Sequence, residues 1–253
     1  MADLIILFVV AIFLPLFPMS MVFNAVVENI KYAWLRVILF VVWPLCGLFI
    51  LLNSTVLLPI WLQPLALATS ALYAIRMLSL REVNQWSSFL ATSLWSLIWL
   101  AVMQETPEML LYSYALSMSA PLVLLVLLSA GLEQRFGAAY TDLYGGLART
   151  IPRYAGVLVS VVVAAIATPL FPTFFIMFEM VVESITATPL TAIVLLFIWL
   201  LWSWAGARLI QGLIVGSASD SRVADMNIST ISIYSLVLMG LVVAGVYLGG
   251  VIL

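Results

Sequence analysis

Eight mainly apolar runs, each about 20 residues or longer, divide this chain wherever its charges gather, and that pattern limits the folds open to it. The runs fall at 4–27, 34–53, 55–75, 86–104, 109–131, 152–181, 188–214 and 229–253. A run of that length spans the hydrocarbon of a bilayer as a helix. Barrel strands would instead show as alternating segments of about 10 residues, and these runs are apolar on every face. The expected fold is all-α: a polytopic membrane bundle of about eight transmembrane helices in a single domain, 1–253. Within it, 1–54 reads as an N-terminal helix pair and 55–253 as a second region.

Composition agrees and removes several function classes. Charged residues make up 8% of the chain and apolar ones 66%, against roughly a quarter and a half in a soluble domain. There is no histidine and one cysteine, Cys46. Ser-His-Asp and Cys-His catalysis, histidine-ligated metals, CxxC clusters and internal disulfides are therefore excluded, and no catalytic residue, metal or cofactor is expected. A net charge of −2 with scattered basic residues gives no patch for nucleic acid. No basic residue precedes Lys31 and no small-residue cleavage site follows the first run, so it reads as a mature helix rather than a signal peptide.

The basic residues orient the spans. With eight crossings, Lys31 and Arg36, Arg76 and Arg81, Arg135, Arg149 and Arg153, and Arg208 and Arg222 share one side, while Asp3, Glu105, Glu108 and Glu183 lie on the other. The positive-inside rule makes the basic side cytoplasmic, in an inner-type membrane, with both termini on the non-cytoplasmic side.

Two runs carry helix breakers. Pro169 and Pro172 in "ATPLFPTFF" predict a broken or sharply kinked sixth span, and Pro15 and Pro18 do the same to the first. Glu179 follows the second break among aromatics and aliphatics. A charge at mid-membrane costs about 2.5–3.5 kcal/mol, so this acid needs a partner or a neutral, protonated form. The second option suits a proton carrier; the first makes Glu179 a structural pairing residue with a partner subunit. Glu183 lies one turn on, as an outer relay or a solvated end charge.

Ser88, Thr92 and Ser96 form a hydroxyl stripe at spacing four, and Ser113 and Ser117 repeat it on the next span. Such stripes line water paths, bond their own i−4 carbonyls or let helices pack closely. Gly245 and Gly249 form a GxxxG pair suited to close helix contact. Mid-span tryptophans such as Trp199, Trp202 and Trp204 are expected to face lipid or a partner.

From Asp142 to Val182 the chain reads "DLYGGLARTIPRYAGVLVSVVVAAIATPLFPTFFIMFEMVV". This resembles the antiporter-like membrane subunits of respiratory complex I and their Mrp cation/proton antiporter relatives. Gly145, Gly146, Leu147, Arg149 and Pro152 match the family's loop, Pro169 to Thr173 its break, and Glu179 its charged position. Arg81 with Trp86, Ser87 and Ser88 is similar to the start of another family helix. The resemblance runs from about residue 55 to the end. It implies about fourteen helices in two repeated halves, so this chain reads as a shortened, degenerate member. It also implies membrane-embedded lysines and a histidine, where this chain has "YALSMSAPLVLLVLL".

The resemblance implies a non-enzymatic subunit of a multisubunit complex that moves protons or cations, coupled to redox chemistry, to exchange, or to carbon uptake in DAB-type systems. Glu179 would carry the proton and Glu183 relay it outward. Arg81, Arg149 and Arg153 would anchor the loops or meet a cytoplasmic partner. The other expected partners are neighbouring membrane subunits and the lipid bilayer. The alternative is a subunit that keeps the fold for docking and conducts nothing.

Overall fold

A computed structural model describes residues 2–141, 146–216 and 223–252. Among them the regular structure is twelve helices, beside one isolated antiparallel bridge between Glu82 and Tyr140. The first run forms α1 (Ala2–Phe13) and α2 (Ser20–Asn29), and α3 spans Ala33–Leu52. The third run yields a helix only from Leu62, α4 (Leu62–Met77), because Pro59 and its neighbours hold the preceding stretch irregular. The fourth splits at Leu97 into α5 (Val83–Ser96) and α6 (Ile98–Met103), and the fifth is α7 (Glu108–Phe136). A single turn, α8 (Leu147–Thr150), leads into α9 (Pro152–Ala165) and α10 (Pro172–Ala187), the two parts of the sixth run. The last two are α11 (Pro189–Ile214) and α12 (Ile228–Ile252). Five of these elements, α3, the α5–α6 stretch, α7, α11 and α12, are long and apolar enough to cross a membrane on their own.

The α5–α6 stretch is the axis: 83% of its apolar window is buried, against 17% for α12 at the periphery. Around it pack α2, α4 and α7. The ring continues through α3 and α1 on one side and through α9, α10 and α11 on the other. Where α4, α5 and α11 meet, Ser70 and Ser93 each donate to the other's carbonyl at 2.8 Å, and the Trp202 indole donates to Ser93 Oγ at 2.8 Å.

Both proline breaks leave carbonyls without their helical donors, and tryptophans supply the missing N–H groups. Pro18 has no N–H for Leu14, whose carbonyl instead accepts from Trp99 Nε1 at 3.0 Å. Pro15 likewise denies a donor to Ala11, so the amide of Leu16 turns to Ala11 and leaves Ile12 to Trp43 Nε1 at 2.9 Å. At the second break Trp199 Nε1 donates to Ala167 at 2.9 Å. Ala167 and Leu170 both sit in the left-handed region, φ 58° and 83°, which L-residues adopt only where surrounding packing holds them. Trp43, Trp99 and Trp199 are thus internal donors, whereas Trp204 faces outward as expected of mid-span aromatics.

The GxxxG pair of α12 covers the second break. A Cβ on Gly245 would overlap the Leu170 carbonyl oxygen and lie 2.9 Å from the Phe171 carbonyl carbon, and one on Gly249 would lie 2.6 Å from the Phe175 ring. Backbone cannot yield as a side chain end can. Gly245→Ala should therefore cost about 1–3 kcal/mol, lowering the thermal unfolding midpoint in detergent. Gly250→Ala, with open space around it, should leave the midpoint unchanged or slightly raised.

Candidate functional site in the broken sixth span

The interval from Ile166 to Phe171, with Pro169 inside it and Pro172 as the first residue of α10, separates two half-helices. Proline at the first helical position loses nothing, since that N–H has no helical acceptor. Thr168 Oγ1 donates back to Val163 at 2.9 Å, satisfying a carbonyl at the end of α9. Glu179 lies two turns into α10, half-buried, and its Oε2 is enclosed without a hydrogen-bond partner. Glu183 is exposed one turn further along. Beside it, Ser184 accepts from Gln104 Nε2 at 3.2 Å, fixing the end of α10 to the end of α6.

The hydroxyl stripe does not reach this acid. Ser88 Oγ donates to Gln85 at 2.9 Å, Thr92 Oγ1 to Ser88 at 2.9 Å and Ser96 Oγ to Ser93 at 2.9 Å. Thr92 also accepts from Asn24 Nδ2 at 3.2 Å. On α7, Ser113 donates to Met109 at 2.9 Å, and Ser117 is half-buried. The stripes thus bond mainly along their own helices.

The basic residues gather at one end of the bundle, and hydrogen bonds tie the loops there together. Thr141 N donates to the Arg81 carbonyl at 2.7 Å, Arg135 Nε to Ala224 at 3.3 Å and Arg36 Nε to Ile30 at 2.8 Å. Arg81, Arg149 and Arg153 are exposed on this face. Gly146, at φ 82°, starts α8 in the left-handed region, which gives its place in the loop motif a steric reason. Asp142, Gly145 and Arg222 lie outside the described residues. At the opposite end Gln63 meets Thr191 at 3.0 Å, joining the starts of α4 and α11.

Two features of the basic face escape sequence reasoning. Arg36, nearly buried, lies 3.5 Å from Glu133, which also accepts from Asn84 Nδ2. Partial burial first, then the Glu133 charge, pushes the nearby Glu82 carboxyl above its usual range. The other is Asp225. Pro152 brings no N–H to the first turn of α9, and Asp225 accepts the next two amides, Arg153 at 3.0 Å and Tyr154 at 3.1 Å, along with its neighbour Met226 at 2.7 Å. Partial desolvation opposes ionisation, but these three amides and the Arg153 charge outweigh it and hold the carboxyl below its ordinary value. The only sequence signal was an aspartate between two apolar helices.

No family model and no curated protein matches the chain. Solved structures do. A chain of respiratory complex I from Thermus thermophilus with bound NADH is 20% identical at a TM-score of 0.81, over 95% of this chain and 53% of that one. A chain of the membrane-bound sulfane sulfur reductase, an archaeal respiratory membrane complex, is 18% identical at 0.82, over 97% and 52%. One from the Mrp complex of a Dietzia species is 16% identical at 0.73, over 86% and 42%. At these identities what is shared is the fold, the all-α membrane bundle of the family suspected from the loop motif. The matches take in the N-terminal helices too, and the chain spans about half the length of the chains it matches.

The Asp225 cap has a pH signature. Its carboxyl is depressed in the folded state, so its contribution is present above the unfolded value and is lost as pH falls through the folded one. Asp225→Asn should cost about 1 kcal/mol or less at neutral pH, the carboxylate being near the surface. Hydrogen exchange at the amides of Arg153 and Tyr154 should speed up in the variant, and in the unaltered chain only on acidification below the carboxylate range.

Proposed function

We propose that the chain is an antiporter-like membrane subunit of a multisubunit, energy-coupled complex, and that Glu179 carries the proton. One observation bears most of the weight: Glu179 stands in an apolar half-helix just after a break, and one of its carboxyl oxygens is enclosed without a partner. An acid so placed can take up and release a proton when water or a partner group reaches it. Glu183, exposed one turn away, is placed to exchange that proton with the far side. Likeness to chains of respiratory and Mrp complexes supports neighbouring membrane subunits as partners, and we infer coupling to a partner's chemistry such as redox or carbon uptake. The residues that would meet a cytoplasmic partner are Arg81, Arg149 and Arg153.

A second reading, a docking subunit that conducts nothing, draws support from the hydroxyl stripes. Apart from the Thr92 contact with Asn24, the bonds of Ser88, Thr92, Ser96 and Ser113 run to their own helices, and none of them reaches Glu179 among the described residues.

Glu179→Gln separates the two, since it keeps size and hydrogen bonding but cannot ionise. In native membranes with its partners, proton translocation should fall on the order of tenfold or more, with the chain still assembled. Unchanged translocation sinks the carrier role, and loss of assembly supports docking. We also propose that the basic face is cytoplasmic and both termini are not. In a Cys46→Ser background, Tyr140→Cys should react with an impermeant thiol probe from the cytoplasmic side only. Labelling from outside reverses the orientation.

A further inference from the structure

A cavity of about 380 Å³ opens at the basic face among α2, α4 and α5. Both α2 and α4 pack on α5, which forms the floor. At the deep end the walls close through a 2.9 Å hydrogen bond between Ser20 Oγ and Tyr73 OH. The rim consists of helix ends: Glu28 beside the last residue of α2, Arg76 in the last turn of α4 and Glu82 capping α5. Helix ends lie at the depth of lipid headgroups. The wall residues Met21 and Arg76 are exposed, so the crevice also opens on the outer surface of the bundle.

The polar groups inside it leave a specific demand. Arg36 lies 3.5 Å from Glu133 and its Nε donates to the Ile30 carbonyl, while its buried Nη1 has no hydrogen-bond partner among the described residues. Glu82 accepts from Tyr140 OH at 3.4 Å and feels the Arg36 charge, yet Glu133 and Glu28 repel it, and neither Glu28 nor Glu82 has a cation at ion-pair distance among the described residues. Asn84 is 4% exposed, and its Nδ2 faces the Glu133 carboxylate, so its Oδ1 is turned away from Glu133; that oxygen has no hydrogen-bond partner. On its acidic side the cavity thus presents two carboxylates and one orphan amide oxygen, with Arg36 and Arg76 as its cations. A primary ammonium has three donors and no acceptor, which answers all three. Arg76 lies 5.3 Å from the centre of the Phe89 ring, a face-on contact that leaves its in-plane donors free for an anion.

We propose that this crevice binds the headgroup of an ethanolamine-type aminophospholipid, its ammonium seated among Glu28, Glu82 and Asn84 Oδ1 and its phosphate at Arg76. The exposed apolar Met21 on α2, which lines the crevice, lies where the glycerol and first acyl carbons would run. A choline headgroup brings the charge but no N–H donor for Asn84, and a glycerol headgroup brings hydroxyl donors but no charge for the carboxylates, so each answers only part of the site. An alkali cation would leave Arg76 without a role. The site is separate from Glu179 and independent of the transport reading.

Native mass spectrometry of the delipidated full chain, re-exposed to dioleoyl phosphatidylethanolamine, phosphatidylcholine or phosphatidylglycerol, tests this. The ethanolamine lipid should be retained on the order of tenfold better than either other lipid. Combining Glu28→Gln with Glu82→Gln should erase that preference without lowering choline-lipid retention, whereas Arg76→Gln should weaken both lipids alike. Equal retention of the three lipids by the unaltered chain overturns the proposal, and this comparison needs no variant to fold. Soluble phosphoethanolamine binding as tightly as the lipid would also overturn it, by making the crevice a site for a soluble amine.

Discussion

The bundle depends on how it satisfies the backbone groups freed at its two helix breaks. In hydrocarbon no water substitutes for a missing helical hydrogen bond, and each unmet carbonyl costs several kcal/mol. Trp43, Trp99 and Trp199 reach these carbonyls from α3, α6 and α11. Indole suits the task because it is a donor only, on a large apolar body that fills the space beside the break. Each such bond also fixes the spacing of two helices, so the same contacts that make the breaks tolerable set the register of the bundle. The glycines of α12 close the second break from outside by letting a helix lie directly against irregular backbone.

Polarity is sorted by level. At the basic end, ion pairing between Arg36 and Glu133 and the capping of α9 by Asp225 join loops distant in sequence. In the middle, Ser70, Ser93 and Trp202 bond to one another and to backbone, linking α4, α5 and α11. Glu179 stands apart from both levels, as an acid whose enclosed oxygen has no donor. Of the described buried side-chain atoms left without a partner, its Oε2 is the one carboxylate oxygen.

The spans and breaks were readable because their causes are local. Pro15, Pro18, Pro169 and Pro172 remove donors wherever they stand, and apolar length is a property of each run. The fates of the tryptophans and hydroxyls were not readable. Whether Trp199 faces lipid or a carbonyl depends on how α11 rotates against the break, and α11 is apolar around most of its circumference, so periodicity carries no direction. Ser88, Thr92 and Ser96 show a spacing that fits a water file as well as back-bonding, and only the positions of α2 and α4 distinguish the two.

By itself, the sequence determined the all-helical membrane architecture, the gathering of basic residues at one end and the presence of an acid beyond a break, since each follows from composition and short-range sterics. The tertiary structure decided which groups meet. It joined Asp225 to the start of α9, Asn84 to Glu133, and three indoles to orphan carbonyls, pairs separated by 31 to 85 positions along the chain. Contacts of that range depend on helix rotation and packing, and a chain so uniformly apolar carries little pattern from which rotation can be read.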